Sequence, residues 1–274
     1  MAWLRRASIG AALASVLTRG AFAQGTDSTM SKTFFRPREA AIAGLFLAGS
    51  VGLSVFDTRI AHFFEDTSLA HVREGQRLDK IFTHINETTL TAGGLIVWGV
   101  ARLAHSPTVA DIAFHTAESV AAASLTAQVI RGPLGRSRPG ETNSNNQYDF
   151  HFMKGFTNFK YRAFPSIHSS SGFAAASALV AETNRRNPSA VKIVAPIAYA
   201  LALTPGLARM YLGQHWASDI FAGAFLGTFY GWRVVDYSHA HPTTRIDRIF
   251  LGSVKHAQID VQRGSLMVGW SAAF

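Results

Sequence analysis

The stretch Arg209-Met-Tyr-Leu-Gly-Gln-His215-Trp-Ala-Ser-Asp219 places an imidazole four residues before a carboxylate. At that spacing one helical turn lets the carboxylate reach a ring N–H. Such a contact fixes the tautomer and leaves the other nitrogen as a base or nucleophile. Alone, a His/Asp pair is more often structural. Two further clusters add chemistry. Arg131-Gly-Pro-Leu-Gly-Arg136-Ser137-Arg138-Pro139 sets three guanidiniums within eight residues. They suit a phosphate or carboxylate cage, and equally a basic helix end facing water or cytosol. Phe164-Pro165-Ser166-Ile167-His168-Ser169-Ser170 reads as a loop-to-helix junction. The free N–H groups of a helix start favour an anion there, while the hydroxyls by themselves only cap the helix.

Taken together, the three clusters resemble the signature of the type 2 phosphatidic acid phosphatase (PAP2) superfamily, which includes class A acid phosphatases and vanadium haloperoxidases. That signature is Lys, six residues, Arg-Pro; then Pro-Ser-Gly-His; then Ser-Arg, five residues, His, three residues, Asp. Arg138-Pro139, Pro165-Ser166, His168, Arg209, His215 and Asp219 fall in register, so eight of eleven fixed positions match. The departures are Arg131 for Lys, Ile167 for Gly and Ala208 for Ser. They keep the charge and the backbone N–H and lose one hydroxyl, which bears on substrate preference and rate more than on reaction type. The resemblance covers about Thr108–Trp232. It implies that His215 attacks phosphorus to form a phosphohistidine, that Asp219 orients it, and that His168 protonates the leaving oxygen and then activates water. It further implies that Arg131, Arg138, Arg209, Ser166 and the Ile167 N–H bind the phosphoryl oxygens. No metal or other cofactor is required, because guanidiniums supply the charge.

Three alternatives stand beside this reading. His62/Glu65, His71/Glu74, His84/Glu87 and His115/Glu118 are H-x-x-E pairs, a spacing that puts two metal ligands on one helix face. Carboxylate-bridged metal proteins use the reverse order, so helix-face polar pairs are the better account, with Asp111/His115/Glu118 as a polar seam. A vanadate-dependent haloperoxidase would hold vanadate in the same cage, but its additional length and acid-base residues are not recognisable. A phosphate-binding protein without activity is opposed by the intact His168, His215 and Asp219. Ahead of the second cluster lie Tyr148, Phe150, Phe152, Phe156, Phe159 and Tyr161. They form either an apolar rim for acyl or isoprenoid tails or packing that fastens the loop to the helices, and packing is slightly favoured. The substrate is thus a phosphomonoester or pyrophosphate, with lipid phosphates favoured and small soluble phosphomonoesters as the alternative.

The elements that must hold these residues read as helices. Six apolar segments run over Ala40–Phe56, Thr89–Leu103, Thr108–Ile130, Ser169–Ala181, Ala190–Leu207 and Ala217–Val235. Ser106-Pro107 and Asn187-Pro188 supply helix starts, and Thr204-Pro205-Gly206 predicts a kink or an end. In the tail Leu266, Val268, Trp270, Ala272 and Phe274 alternate with smaller or polar residues, a strand pattern. Arg263-Gly264-Ser265 would turn it onto Gln258–Val261 as a hairpin. The expected fold is all-α, a six-helix PAP2-type bundle with a short C-terminal β-hairpin.

Composition bounds the rest. The 274 residues contain no cysteine, which excludes disulfides and thiolate chemistry, and carry a net charge of +9. The scattered Arg residues argue against a nucleic-acid arm, so the basic excess fits phosphate or a membrane surface. Charged residues are only 16% and mean hydropathy is +0.13, high for a soluble chain and low for a polytopic membrane protein. Arg5 and Arg6, the apolar run Ala7–Leu17 and Ala21-Phe22-Ala23 have the order of a secretory signal. The expected organisation is a signal peptide over 1–23, a linker over 24–38, the phosphatase domain over 39–236 and a tail over 237–274. By length the first, fifth and sixth segments qualify marginally as membrane spans. A cleaved signal and six full spans conflict with the Arg185/Arg186 loop under the positive-inside rule. The favoured location is therefore the periplasm or the periplasmic face of the envelope, with integration into the inner membrane as the alternative.

Overall fold

A computed structural model describes residues 34–35, 37–66, 82, 84–241, 245–251, 259–262 and 265–268. The signal segment, most of the linker, the His71/Glu74 pair and the tail beyond Val268 lie outside the described residues. Helices α1 (Pro37–Ser54), α2 (Asp57–Asp66), α3 (Glu87–Leu103), α4 (Pro107–Leu134), α5 (Ile167–Arg186), α6 (Val191–Tyr211), α7 (Ala217–Ala240) and α8 (Arg245–Phe250) follow in order. Strands β1 (Ile259–Gln262) and β2 (Ser265–Val268) close the described chain. The fold is all-α, as expected, with six helices covering the six apolar segments. The hairpin is present: β1 and β2 pair antiparallel, with Ile259 opposite Val268 and Gln262 opposite Ser265.

The bundle is built around α5, with α4, α6 and α7 packed on it. Its core is made largely of alanine. Ala176, Val180 and Phe173 of α5 meet Val191, Ala195, Ala198 and Ala202 of α6 and Ala224 of α7. On the other side Ala174 meets Val120 and Ala123 of α4. Such small side chains let helix axes approach closely, and α5 and α7 show the limit of this. A Cβ on Gly227 would run into the Ser170 carbonyl, and one on Gly223 into that of Ser166. This contact begins at the first turns of both helices and sets the starts of α5 and α7 side by side.

Helix α4 delivers a charge by the same periodicity that buries it. Ala110, Ala113, Ala117, Val120, Ser124 and Ala127 are buried at three- and four-residue spacing, and the next member of the stripe is Arg131. The helix ends at Gly135, whose φ of 60° gives the left-handed cap and whose N–H returns to the Arg131 carbonyl at 3.2 Å. A side chain there would collide with the His151 carbonyl as well as strain the backbone.

Three expectations change. Pro107 does open α4 at its first turn, but Ser106 makes no side-chain cap. Thr204-Pro205-Gly206 does not end a helix: α6 continues through Pro196 and Pro205 to Tyr211. Pro205 is fully buried and a Gly206 Cβ would press on Ile220 and Ser169, so tertiary packing holds what local propensity disfavours. The expected six helices gain α2, which lies outside the six apolar segments because its composition is polar.

By length and composition, one helix among the described residues is apolar enough to cross a membrane, Pro188–Tyr211. The pair Pro37–Ser54 and Asp57–Glu65, bent by 57°, passes the same test jointly. The sixth segment, now α7, does not. Apolar side chains also face outward in helical stripes: Ile193, Ile197 and Leu201 on α6, Ile96, Val100 and Leu103 on α3, Leu125 and Val129 on α4.

Candidate active site

Three separate pieces of chain are stitched together by their backbones. The Ser166 N–H donates to the Asp219 carbonyl at 3.0 Å and the Gly140 N–H to the Gly213 carbonyl at 2.9 Å. The Trp216 indole N–H donates to the Ser137 carbonyl at 2.9 Å. The Arg131–Pro139 run is thereby joined to the Arg209–Asp219 run, and that run to Phe164–Ser170. Arg131, Arg138, His168, Arg209 and His215 come within electrostatic reach of one another.

His215 and Asp219 are not a helical pair, contrary to the expectation from spacing. His215 lies in the loop before α7 and Asp219 in its first turn. The Asp219 carboxylate works as a helix-start acceptor, taking the Trp216 N–H on Oδ2 at 2.8 Å. The same oxygen faces His215 Nδ1 at 3.6 Å. Both residues are buried, His215 at 4% exposure and Asp219 at 0%. Burial holds the His215 imidazole below its usual pKa; Asp219 opposes this, and Arg138 and Arg209 reinforce it. At neutral pH the ring is uncharged and its lone pair is available.

His168 occupies the second position of α5. Its Nε2 accepts from Arg209 Nη2 at 2.8 Å, which assigns its proton to Nδ1, a buried atom without a hydrogen-bond partner. Burial lowers its pKa to about 3, helped by Arg209, His215, Arg131 and Arg138. Ser166 is the N-cap of α5, and its hydroxyl accepts the Ser169 N–H at 3.4 Å. Ile167 begins the helix and is buried.

The guanidiniums do not behave alike. Among the described residues neither Arg131 nor Arg138 has a carboxylate within ion-pair distance. Arg131 Nε donates to Gln128 at 2.7 Å, and Arg138 donates to Gln214 and lies 3.5 Å over the Phe159 ring. Burial brings both to a pKa of about 10, helped by Arg162 at Arg131 and by Arg209 and Arg131 at Arg138. Crowded cations with amide partners are an anion site waiting for its counter-charge. Arg136 is different, and the expected three-arginine cage is corrected here. Its guanidinium is committed elsewhere: Nη1 reaches Asp219 Oδ1 at 2.5 Å and Nη2 reaches Asp57 Oδ2 at 2.8 Å. Asp57 in turn accepts from the Ser218 N–H at 2.9 Å and from its hydroxyl. Asp57 was missed in the sequence because it stands alone, about 160 residues from its partner Ser218.

Among the described residues the H-x-x-E pairs do not assemble as ligand sets. His62 and Glu65 form a half-exposed surface pair at 3.3 Å. His115 faces Glu182, not Glu118. The aromatic loop is fastened only in part: the Phe156 ring lies against Gly132 of α4 and the Tyr148 hydroxyl is 3.4 Å from the Ser54 hydroxyl of α1. Phe152 is 77% exposed, with Tyr148, Phe150, Phe156 and Phe159 about half exposed.

Comparison with known proteins bears on this arrangement. The sequence profile described as the PAP2 superfamily matches residues 113–242. Comparison with curated proteins gives no significant match. Among solved structures the chain is similar to the crystal structure of the first transmembrane PAP2 type phosphatidylglycerolphosphate phosphatase from Bacillus subtilis. That similarity is 18% identity over 72% of this chain and 98% of the other, with a TM-score of 0.38.

Proposed function

Residues 113–242 are a domain of the PAP2 superfamily, and from that premise we propose that this phosphatase cleaves lipid phosphates or pyrophosphates through a phosphohistidine on His215. The observation that carries the reading is a buried, uncharged His215 backed by Asp219 and close to Arg138, which has no carboxylate within ion-pair distance among the described residues.

In the first step the phosphoryl group settles among Arg131, Arg138 and Arg209, with the Ser166 hydroxyl and the Ile167 N–H completing the shell. His215 attacks phosphorus with its free lone pair, and the P–O bond to the leaving group breaks. Asp219 stabilises the positive charge that develops on the ring, and the 3.6 Å separation closes as it does so. His168 gives a proton to the leaving oxygen. For this it must carry a second proton, which the resting site opposes. A phosphate anion reverses that field and draws Arg209 from His168 Nε2. In the second step His168 takes a proton from water, the hydroxide attacks the phosphohistidine, and the P–N bond breaks. The guanidiniums supply the cationic charge throughout, so the route uses no metal.

Two observations support a lipid over a small soluble ester. Phe152, Tyr148 and Phe156 are exposed on the loop that also carries Phe159, which stacks on the phosphate-site residue Arg138. Contiguous apolar stripes on α3, α4 and α6 face outward, as at a membrane contact. The residues 1–23 fit export, which puts the site on the periplasmic face. The test is phosphate release from a soluble chromogenic phosphoester and from short- and long-chain lipid phosphates. Preference rising with chain length supports the lipid reading, and equal rates on all three favour the small-ester alternative.

A further inference from the structure

We infer that His115, Glu182 and His239 form a site for a divalent transition-metal ion of the zinc type, at the end of the bundle opposite the phosphoryl site. The three residues come from α4, α5 and α7, and one ligand atom of each lies within 4.8 Å of the others. Glu182 stands fourteen residues beyond His168 on α5, which at the helical rise is about 21 Å. The site is therefore separate from the catalytic one.

The hydrogen-bond inventory is the argument. Glu182 is fully buried, and its Oε1 lies 2.5 Å from His115 Nδ1 and 3.0 Å from His239 Nε2. On the far side of the His115 ring, Nε2 faces Asp247 Oδ1 at 3.9 Å and has no hydrogen-bond partner among the described residues. His115 is only 2% exposed. A neutral imidazole carries one proton. Placed on Nδ1 it serves Glu182 and turns a bare lone pair toward Asp247. Placed on Nε2 it points at Asp247 from 3.9 Å and turns a lone pair toward Glu182. Either tautomer sets a lone pair against a carboxylate in a buried site. A cation bound by His115 Nδ1, Glu182 Oε1 and His239 Nε2 removes the conflict, because the proton then sits on Nε2 and is directed at Asp247, 3.9 Å away. That is the usual outer support of a metal-bound histidine.

The surroundings agree. Arg186 holds the other Glu182 oxygen and reaches Asp111 at 3.4 Å, so the carboxylate is oriented from behind as metal-binding carboxylates are. With neutral imidazoles, the described acids Asp111, Glu118, Glu182 and Asp247 outnumber Arg185 and Arg186 around the site. Two nitrogens and one oxygen suit zinc over magnesium or calcium. The His239 side chain is 24% exposed, which leaves a way in. Tetrahedral bonds near 2.0–2.1 Å set ligand atoms about 3.3 Å apart, so the His115–Glu182 pair opens by about 0.8 Å and the His239–Glu182 pair by about 0.3 Å.

The experiment uses full-length protein stripped by chelator and titrated with zinc, and with cobalt(II) for its visible spectrum. The expected result is one zinc per chain, a raised melting temperature and the intense bands of low-coordinate cobalt. His239→Ala should abolish all three while keeping helical content by circular dichroism. Asp247→Asn should weaken zinc binding by about tenfold or more. No stoichiometric zinc on the wild type, or equal zinc on folded His239→Ala, overturns the site. None of these readouts depends on phosphatase activity.

Discussion

Arg136 holds one oxygen of Asp219 at 2.5 Å while the other oxygen of that carboxylate faces His215 at 3.6 Å. The Arg136 side chain is 2% exposed and is pinned in turn by Asp57 and by the Gln147 carbonyl at 2.7 and 2.9 Å. A buried carboxylate shared between a guanidinium and the candidate nucleophile has its orientation set from behind. Arg136 and Asp57 are thus positioning residues: they act on His215 through Asp219.

Replacing Arg136 by Lys keeps the charge and loses the two-sided fork. The expected effect is a fall in kcat of about 10- to 100-fold with KM nearly unchanged, since the phosphate-binding guanidiniums are intact. Combining Arg136→Lys with Asp57→Asn should cost much less than the product of the single effects, because both act on one carboxylate. Full additivity, or a change confined to KM, would show that the pair does not act through Asp219.

His215→Ala should lower turnover by several orders of magnitude, as loss of a covalent catalyst does. Acid-labile, base-stable phosphate should be trapped on wild-type protein during turnover and be missing from the variant. A variant that turns over at the wild-type rate would dismiss His215 as the nucleophile.

Activity should survive EDTA, and vanadate should inhibit at low concentration by occupying the guanidinium site as a five-coordinate mimic. These two results go together only if arginines carry the charge. EDTA is expected to lower the melting temperature through the distant His115/Glu182/His239 site without lowering activity at 25 °C. Activity lost on chelation and restored by a divalent ion would refute the metal-independent route.

His168 makes the folded protein sensitive to acid. In the unfolded chain it takes up a proton as pH falls below about 6.5, whereas in the fold burial and neighbouring guanidiniums hold it at about 3. The unfolded state therefore binds more protons between these values, and stability falls as pH drops from about 6.5 toward 3. Sulfate, which stays dianionic across that window, should flatten the slope by neutralising the guanidiniums and raising the His168 pKa. His168→Asn should flatten it without sulfate. Melting temperature against pH, with and without sulfate, measures both; an unchanged slope in the variant counts against the assignment.

Phe152→Ser should raise KM for long-chain lipid phosphate by about fivefold or more, the loss of roughly 1 kcal/mol or more of apolar contact, and leave the soluble chromogenic ester unaffected. Equal changes on both substrates would show that the loop shapes the phosphate site and not a lipid rim.

Much of the site was legible in the chain because its parts are local. Arg-Pro, Ser-x-His and Arg-x5-His-x3-Asp are short runs whose residue types already state a chemistry for phosphate. The helices were legible too, since apolar stripes such as Ala110 to Ala127 follow the helical period. What only the tertiary structure decided is how charges far apart in sequence are paired. Arg136 looked the equal of Arg131 and Arg138, and packing turned it away toward Asp219 and Asp57. His115 looked paired with Glu118 one turn away, yet the close approach of α4, α5 and α7 set it against Glu182. The sequence leans toward packing for the aromatic loop, and only the structure shows how much of Phe152 and its neighbours stays exposed. The reason is physical: periodicity and caps are properties of a few adjacent residues, whereas a buried charge takes its partner from whichever helix the core brings within about 3 Å.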